Sequence, residues 1–194
     1  MTLVQVILGS TRHDRFSERA GAWVMERLAV RRDMTLELVD LRDHPLPFFD
    51  GVSPARTGRD YPSPEVARLG ATLDRADGFV IVTPEYNHGY PAVLKNAMDH
   101  TFVEWNRKPV AFVSWGNVGG ARAVEQLRLV AVEMEMAPLR HAVHILPDVL
   151  VPALRSPAPF DTTLLDALVP RLTTLADDLV WWSEALAPPR KART

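Results

Sequence analysis

The stretch FVIVTPEYNHGYPAVLKNAMDH, residues 79–100, decides the fold. Phe79, Val80, Ile81 and Val82 form an uninterrupted apolar run, of the length and composition of a strand buried on both faces. Pro91 suits the first turn of a helix over residues 92–100. Between the two lies a loop with a proline, an acid, an aromatic, an amide and a glycine: Pro84, Glu85, Tyr86, Asn87 and Gly89. A connection with only a structural job is usually a shorter run of Gly, Asp or Ser. Ligands of open α/β sheets sit beyond the carboxyl ends of the strands, so this loop is read as part of a ligand site.

The order strand, polar loop, helix recurs on both sides of this unit. Residues 3–8 read as the first strand, GSTRHDRFS (9–17) as its loop, and residues 18 to about 30 as a helix for which Ser17 is the expected N-cap. The loop offers two cations, Arg12 and Arg15, two hydroxyls, Ser10 and Thr11, and the free amides of a helix start, an inventory that suits a phosphate. It is neither GxxxxGK[ST] nor GxGxxG, which points away from a Walker site or a stably held dinucleotide. Further strands are expected at 36–40, 110–115 and 140–146, and helices at 65–76 and 121 to about 136. A glycine-rich turn, Gly116 to Gly120, follows the fourth strand. A proline-rich crossing is expected at 147–159, then a closing helix at 162–186 interrupted at Pro170. Strands alternating with helices imply an α/β fold: a doubly wound, three-layer α/β/α sandwich on a five-stranded parallel sheet with right-handed crossovers.

The 194 residues suit one domain, taken as 1–187, with a flexible basic tail at 188–194. A net charge of −2 and a pI near 6.3 supply no basic field for nucleic acid. No apolar run is long enough for a bilayer and no leader pattern opens the chain, so a soluble, cytoplasmic protein without a membrane partner is expected. Zero cysteines exclude disulfides and thiol nucleophiles, so any redox chemistry requires a bound cofactor. No GxSxG elbow supports a hydrolase. His141 and His144, three apart in a strand, point to opposite faces and do not share a metal. The long segment 41–64 is rich in proline and reads as a surface loop, whose Phe48, Phe49 and Tyr61 are expected to pack beneath it, the alternatives being to cover a planar ligand or to meet a partner subunit. Trp105, Trp181 and Trp182 are expected in the core, and Lys95 and Asn96 on a helix surface or a subunit contact.

The loops after the first, third and fourth strands reach one edge of such a sheet. One is cationic, and the other two offer amides, aromatic faces and small residues that let a flat ring approach the main chain. A phosphate joined to a planar heterocycle fits, and FMN has that shape. The same motifs, GSTRHDRFS, TPEYNHGYPAVLKNAMDH, EWNRKPVAFVSWG and GGARAVEQLR, span most of the chain and resemble the NADPH-dependent FMN reductases, a family of flavodoxin-like fold that includes quinone reductases and azoreductases. The resemblance implies that Ser10, Arg12, Arg15 and Ser17 hold the FMN phosphate, with Phe16 in the same loop. Pro84, Glu85, Tyr86 and Asn87 would line the isoalloxazine, and Trp115 and Gly116 would flank its other side. Trp115 stands where many members carry tyrosine, and Asn117 where glycine or serine is commoner. NADPH or NADH would be a dissociable co-substrate, hydride would pass through flavin N5 in ping-pong fashion to a small-molecule electron acceptor, and no side chain would serve as general acid or base. A homodimer or homotetramer is implied, built on the helices after the third and fourth strands. The competing readings are a flavodoxin-like electron carrier and a redox-sensing interaction protein, both without NAD(P)H turnover.

Overall fold

The computed structural model describes residues 1–191. Five parallel strands, β1 (Thr2–Leu8), β2 (Met34–Asp40), β3 (Gly78–Pro84), β4 (Pro109–Trp115) and β5 (Ala137–Ile145), lie in the order β2-β1-β3-β4-β5. Seven helices connect and cover them: α1 (Ser17–Leu28), α2 (Pro54–Thr57), α3 (Pro64–Asp74), α4 (Ala92–Asp99), α5 (Ala121–Glu133), α6 (Pro147–Arg155) and α7 (Val169–Lys191). The expected flavodoxin-like three-layer sandwich is what forms. The region expected as a tail from residue 188 is helical as far as Lys191, and residues 192–194 lie outside the described residues.

Every residue of β3 and β4 is buried, the signature of central parallel strands covered on both sides. Successive side chains feed two separate cores. Val80, Val82, Ala111 and Val113 join Trp23 of α1 and Leu172, Leu175 and Leu179 of α7, whereas Phe79, Ile81 and Phe112 join Leu73 of α3, Leu94 of α4 and Leu127 of α5. Trp105 is 1% exposed and tilts against Phe79 at 4.7 Å.

Three expectations are corrected in the C-terminal third. The crossing at 147–159 contains a helix, α6, because Pro147 occupies its first turn, where no backbone bond is lost. Pro170 likewise stands in the first turn of α7, and the preceding segment Thr162–Leu168 is a 3-10 helix, so the break lies one step earlier than the proline. Trp181 and Trp182 are 63% and 40% exposed. The buried stripe of α7 runs through Leu172, Leu175, Leu179 and Ser183 at helical spacing, and the two tryptophans fall outside it, stacked edge-to-face on each other at 5.3 Å.

The segment after β2 is a surface loop, carrying only a 3-10 turn (Leu41–Asp43) and the four-residue α2. Side-chain clamps fix it. Asn96 of α4 accepts a hydrogen bond from the Phe49 amide (2.9 Å) and donates to the Pro47 carbonyl (2.8 Å), and the buried His100 donates from Nε2 to the same carbonyl (3.0 Å). Phe49 packs edge-on against His100 at 5.2 Å. Tyr61 donates to the fully buried carboxylate of Glu104, which also accepts from the Phe102 amide (3.3 Å) and pairs with Arg59 (3.4 Å). Burial and that carboxylate push the Tyr61 phenol far above its ordinary pKa, so it remains a donor. Phe48, expected to pack here, is 82% exposed.

Asn96 is therefore a loop clamp and not merely a helix-surface residue. Asn96→Ala removes two bonds to loop backbone and is expected to cost about 2 kcal/mol. Limited proteolysis should cut within residues 44–60 faster than in the wild type while the unfolding transition stays cooperative.

Candidate functional site

Parallel strands send their following loops to one edge, and here those after β1, β3 and β4 are fastened to one another in a closed circuit. Ser10 Oγ lies 2.9 Å from Tyr86 Oη, joining the first loop to the second. The Glu85 amide donates to the Trp115 carbonyl at 2.9 Å, joining the second to the third. Trp115 packs edge-to-face on Phe16 at 5.3 Å, returning to the first. Trp115 contributes a buried ring and a backbone acceptor, and tyrosine's hydroxyl has no part in either contact.

The first loop is shaped from behind by arginines. Arg15, whose side chain is 1% exposed, directs its guanidinium into the protein: it pairs bidentately with Asp40 at the end of β2, donates to Glu18 (3.1 Å) and reaches the Ser10 carbonyl. Burial raises the Asp40 carboxyl's pKa, but the Arg15 bonds and the Arg42 amide (2.9 Å) outweigh it and hold the group below the usual carboxylate range. Arg42 takes the next carbonyls, donating to Thr11 O (3.3 Å) and Arg12 O (2.5 Å). In a planar trans peptide the N–H points opposite to the C=O, so the amides of Thr11, Arg12 and His13 turn to the other side of the loop. The Ser10 hydroxyl is on that side, 3.4 Å from the Arg12 amide. The Arg12 guanidinium is exposed and has no partner among the described residues.

Ser17 does not cap α1. The chain is already helical at Phe16 (φ −67°, ψ −14°), so Ser17 is the first residue inside the helix, with its hydroxyl buried and without a hydrogen bond. A buried hydroxyl without a partner at a helix start is costly unless something polar meets it.

In the second loop, Tyr86 and Gly89 exchange two backbone bonds of 2.8 and 2.9 Å around Asn87 and His88. Both central residues have positive φ, 49° and 69°, the pattern of a type I′ turn, which asparagine tolerates. Pro84 is the buried last residue of β3, and Asn87 is exposed at the turn's tip. Glu85 is held by the start of α5: its carboxylate accepts from Arg122 Nε (2.7 Å) and the Arg122 amide (3.2 Å). Burial lifts its pKa, while the Arg122 bonds and charge and the amides of Arg122 and Ala123 lower it by more, so it stays ionised.

The third loop owes its form to two left-handed glycines. At Gly120 (φ 77°) an added Cβ would come within 2.7 Å of Ser114 Cβ and 2.9 Å of the Trp115 backbone nitrogen. Ser114 Oγ donates to the Gly119 carbonyl (2.7 Å), and His144 Nδ1, 2.9 Å from that hydroxyl, donates in turn. His144 is thus a strut of this loop, and His141 pairs separately with Asp178 at 2.5 Å. Asp40, Arg42 and Arg122 were not evident from the sequence. The strand order was the missing signal, since it sets Leu8 beside Asp40 and Pro84 beside Trp115. Among the described residues no helix is long and apolar enough to cross a membrane.

Residues 2–148 match the family model described as NADPH-dependent FMN reductase. An NAD(P)H-dependent FMN reductase of Schizosaccharomyces pombe is 40% identical over 158 residues, covering 80% of this chain and 79% of that protein. A 2-hydroxy-1,4-benzoquinone reductase of a Burkholderia species is 36% identical over 143 residues, 69% of this chain and 72% of its own. The same fold occurs in a solved flavoenzyme NAD(P)H:(acceptor) oxidoreductase of Paracoccus denitrificans, with TM-score 0.68, 21% identity, and coverage of 96% of this chain and 99% of that one.

The Arg15–Asp40 pair makes stability depend on pH with a definite sign. A carboxyl whose folded pKa lies below its unfolded value stabilises the protein fully above that unfolded value, 3.8, and loses the contribution as pH falls through the folded one. Thermal unfolding should show wild type above Asp40→Asn at pH 6, with the gap narrowing as pH falls below 3.8.

Proposed function

The chain belongs to the NADPH-dependent FMN reductase family, and from that premise we propose that it is an FMN-dependent NAD(P)H oxidoreductase passing two electrons to small acceptors such as quinones, azo compounds, flavins or metal oxyanions. One observation carries the reading: the first loop holds unspent capacity for an anion. The exposed Arg12 cation and the buried Ser17 hydroxyl both lack protein partners among the described residues, while the carbonyls that would oppose an anion are drawn off by Arg15 and Arg42. The phosphate of FMN fits that donor set. Ser10, Arg12, Ser17 and the adjacent amides would hold it, with Arg15 and Phe16 supporting the loop from behind. Pro84, Glu85, Tyr86 and Asn87 would border the isoalloxazine, and Trp115 and Gly116 its other side.

Bound FMN would supply the electron relay, in which hydride from NAD(P)H arrives at N5 and the acceptor draws two electrons in a second, ping-pong half-reaction. The protein's own contribution is positioning. No side chain is assigned as general acid or base: Glu85, the acid of the second loop, is kept ionised by Arg122 and is a poor proton donor near neutral pH. Oxidised NAD(P)+ would leave after each hydride transfer, consistent with the lack of a dinucleotide fingerprint.

A homodimer or homotetramer through α4 and α5 belongs to the same proposal. Leu129 and Val132 of α5 are 74% and 63% exposed, and a cavity of about 380 Å³ opens between Met98, Phe102, Leu129 and Met134. A soluble, cytoplasmic protein is proposed on its ordinary charge balance.

The purified protein with added FMN should show a flavin band that anaerobic NADPH bleaches and a benzoquinone restores. Bound flavin that NADPH cannot bleach would make the protein a carrier or sensor, and absence of binding would end the flavin reading. Arg12→Ala should weaken FMN about ten- to a hundredfold, corresponding to the 1.5–3 kcal/mol of a hydrogen bond to a charged group. An unchanged dissociation constant by fluorescence titration contradicts that assignment.

A further inference from the structure

Glu85 puts a carboxylate with a side chain 4% exposed into the loop that borders the proposed ring site, a location where an uncompensated negative charge opposes flavin reduction. Its compensation comes from the start of α5, chiefly from Arg122. Arg122 donates from Nε at 2.7 Å, closes a second contact from Nη2, and adds its own amide at 3.2 Å, so Glu85 also caps the start of α5 from a different loop. The pair spans the edge of the site: Glu85 Cβ lies 3.1 Å from where a Cβ on Gly116 would stand, and the Glu85 amide holds the Trp115 carbonyl. Arg122 is itself 39% exposed, at the rim.

We propose that Arg122 is a positioning residue that sets the reduction potential of the bound flavin by cancelling the charge of Glu85, an inference that rests on the FMN reading above. Uptake of two electrons and one proton leaves reduced FMN with one more negative charge on the ring than oxidised FMN. A bare Glu85 carboxylate would repel that charge, and a bare Arg122 guanidinium would attract it, whereas the intact pair does neither strongly. The ionised state of Glu85 fits this role: burial alone would raise its pKa, and the Arg122 contacts more than reverse the effect.

The test is an anaerobic redox titration of the FMN-loaded protein at pH 8, read by flavin absorbance, beside separate dissociation constants for oxidised FMN. Arg122→Ala should weaken reduced FMN relative to oxidised FMN by about tenfold, a fall of about 30 mV for a two-electron couple. Glu85→Gln should shift the potential in the opposite direction. Arg122→Lys should stay near wild type, and Glu85→Gln combined with Arg122→Ala should return towards it. A clasp that only shapes the loops predicts instead weaker binding of both flavin states in each variant and no shift of opposite sign. Wild type and both single variants sharing one potential, with FMN bound, would overturn the proposal alone. Wild-type protein that binds no FMN would overturn the flavin reading and the proposal with it. Arg122→Lys and Glu85→Gln both conserve volume, so the comparison survives even if the alanine variant fails to fold.

Discussion

The strand order reverses at β1, and the site depends on that reversal. The chain leaves β1 for β2 on one side and returns to β3 on the other, so the loops after β1 and β3 part above the sheet and leave a crevice between them. Full burial of β3 and β4 fixes the register of this edge, because a slip of one residue would exchange the two cores. The crevice therefore inherits its precision from apolar packing well below it.

Charge then refines what packing positions. Arg15 with Asp40, and Arg122 with Glu85, are two pairs, each with one buried member, and with opposite relations to the site. Asp40 holds a cation away from the first loop's donor side, so the groups left on that side are amides, hydroxyls and Arg12. Arg122 holds an anion quiet within the second loop. Each pair is retained in spite of a desolvation cost, and in each the bonded geometry, with backbone amides as further donors, offsets it.

Most of the fold was legible in the sequence because its signals were local: apolar runs of strand length, and helices with proline or glycine at their ends. The site's outline was legible for the same reason, since GSTRHDRFS and TPEYN concentrate the chemistry in two loops. The roles of single residues were less so. Arg12 and Arg15 look alike in sequence and differ only because β2 brings Asp40 within reach of the second. Ser17 looks like a cap until the backbone enters the helix one residue earlier. Trp181 and Trp182 look like core until α7's stripe is phased by Leu172 and Leu179. Each miss concerns a partner distant in sequence, the exact residue at which a helix begins, or a rotation about a helix axis, which composition does not encode.

The long loop after β2 is held by Asn96, His100 and Glu104, and none of its residues adds a strand to the sheet. Its length is therefore free of the two-residue arithmetic that governs strands. Lengthening a tethered segment costs entropy only logarithmically, so residues between Phe49 and Tyr61 can be inserted, deleted or exchanged while both anchors remain. Pro54 and Ala55 of this stretch also line the cavity beside α4 and α5. The fold thus carries an interchangeable wall: one surface of that cavity can diversify among descendants of this chain without disturbing the sheet or the three loops at its edge.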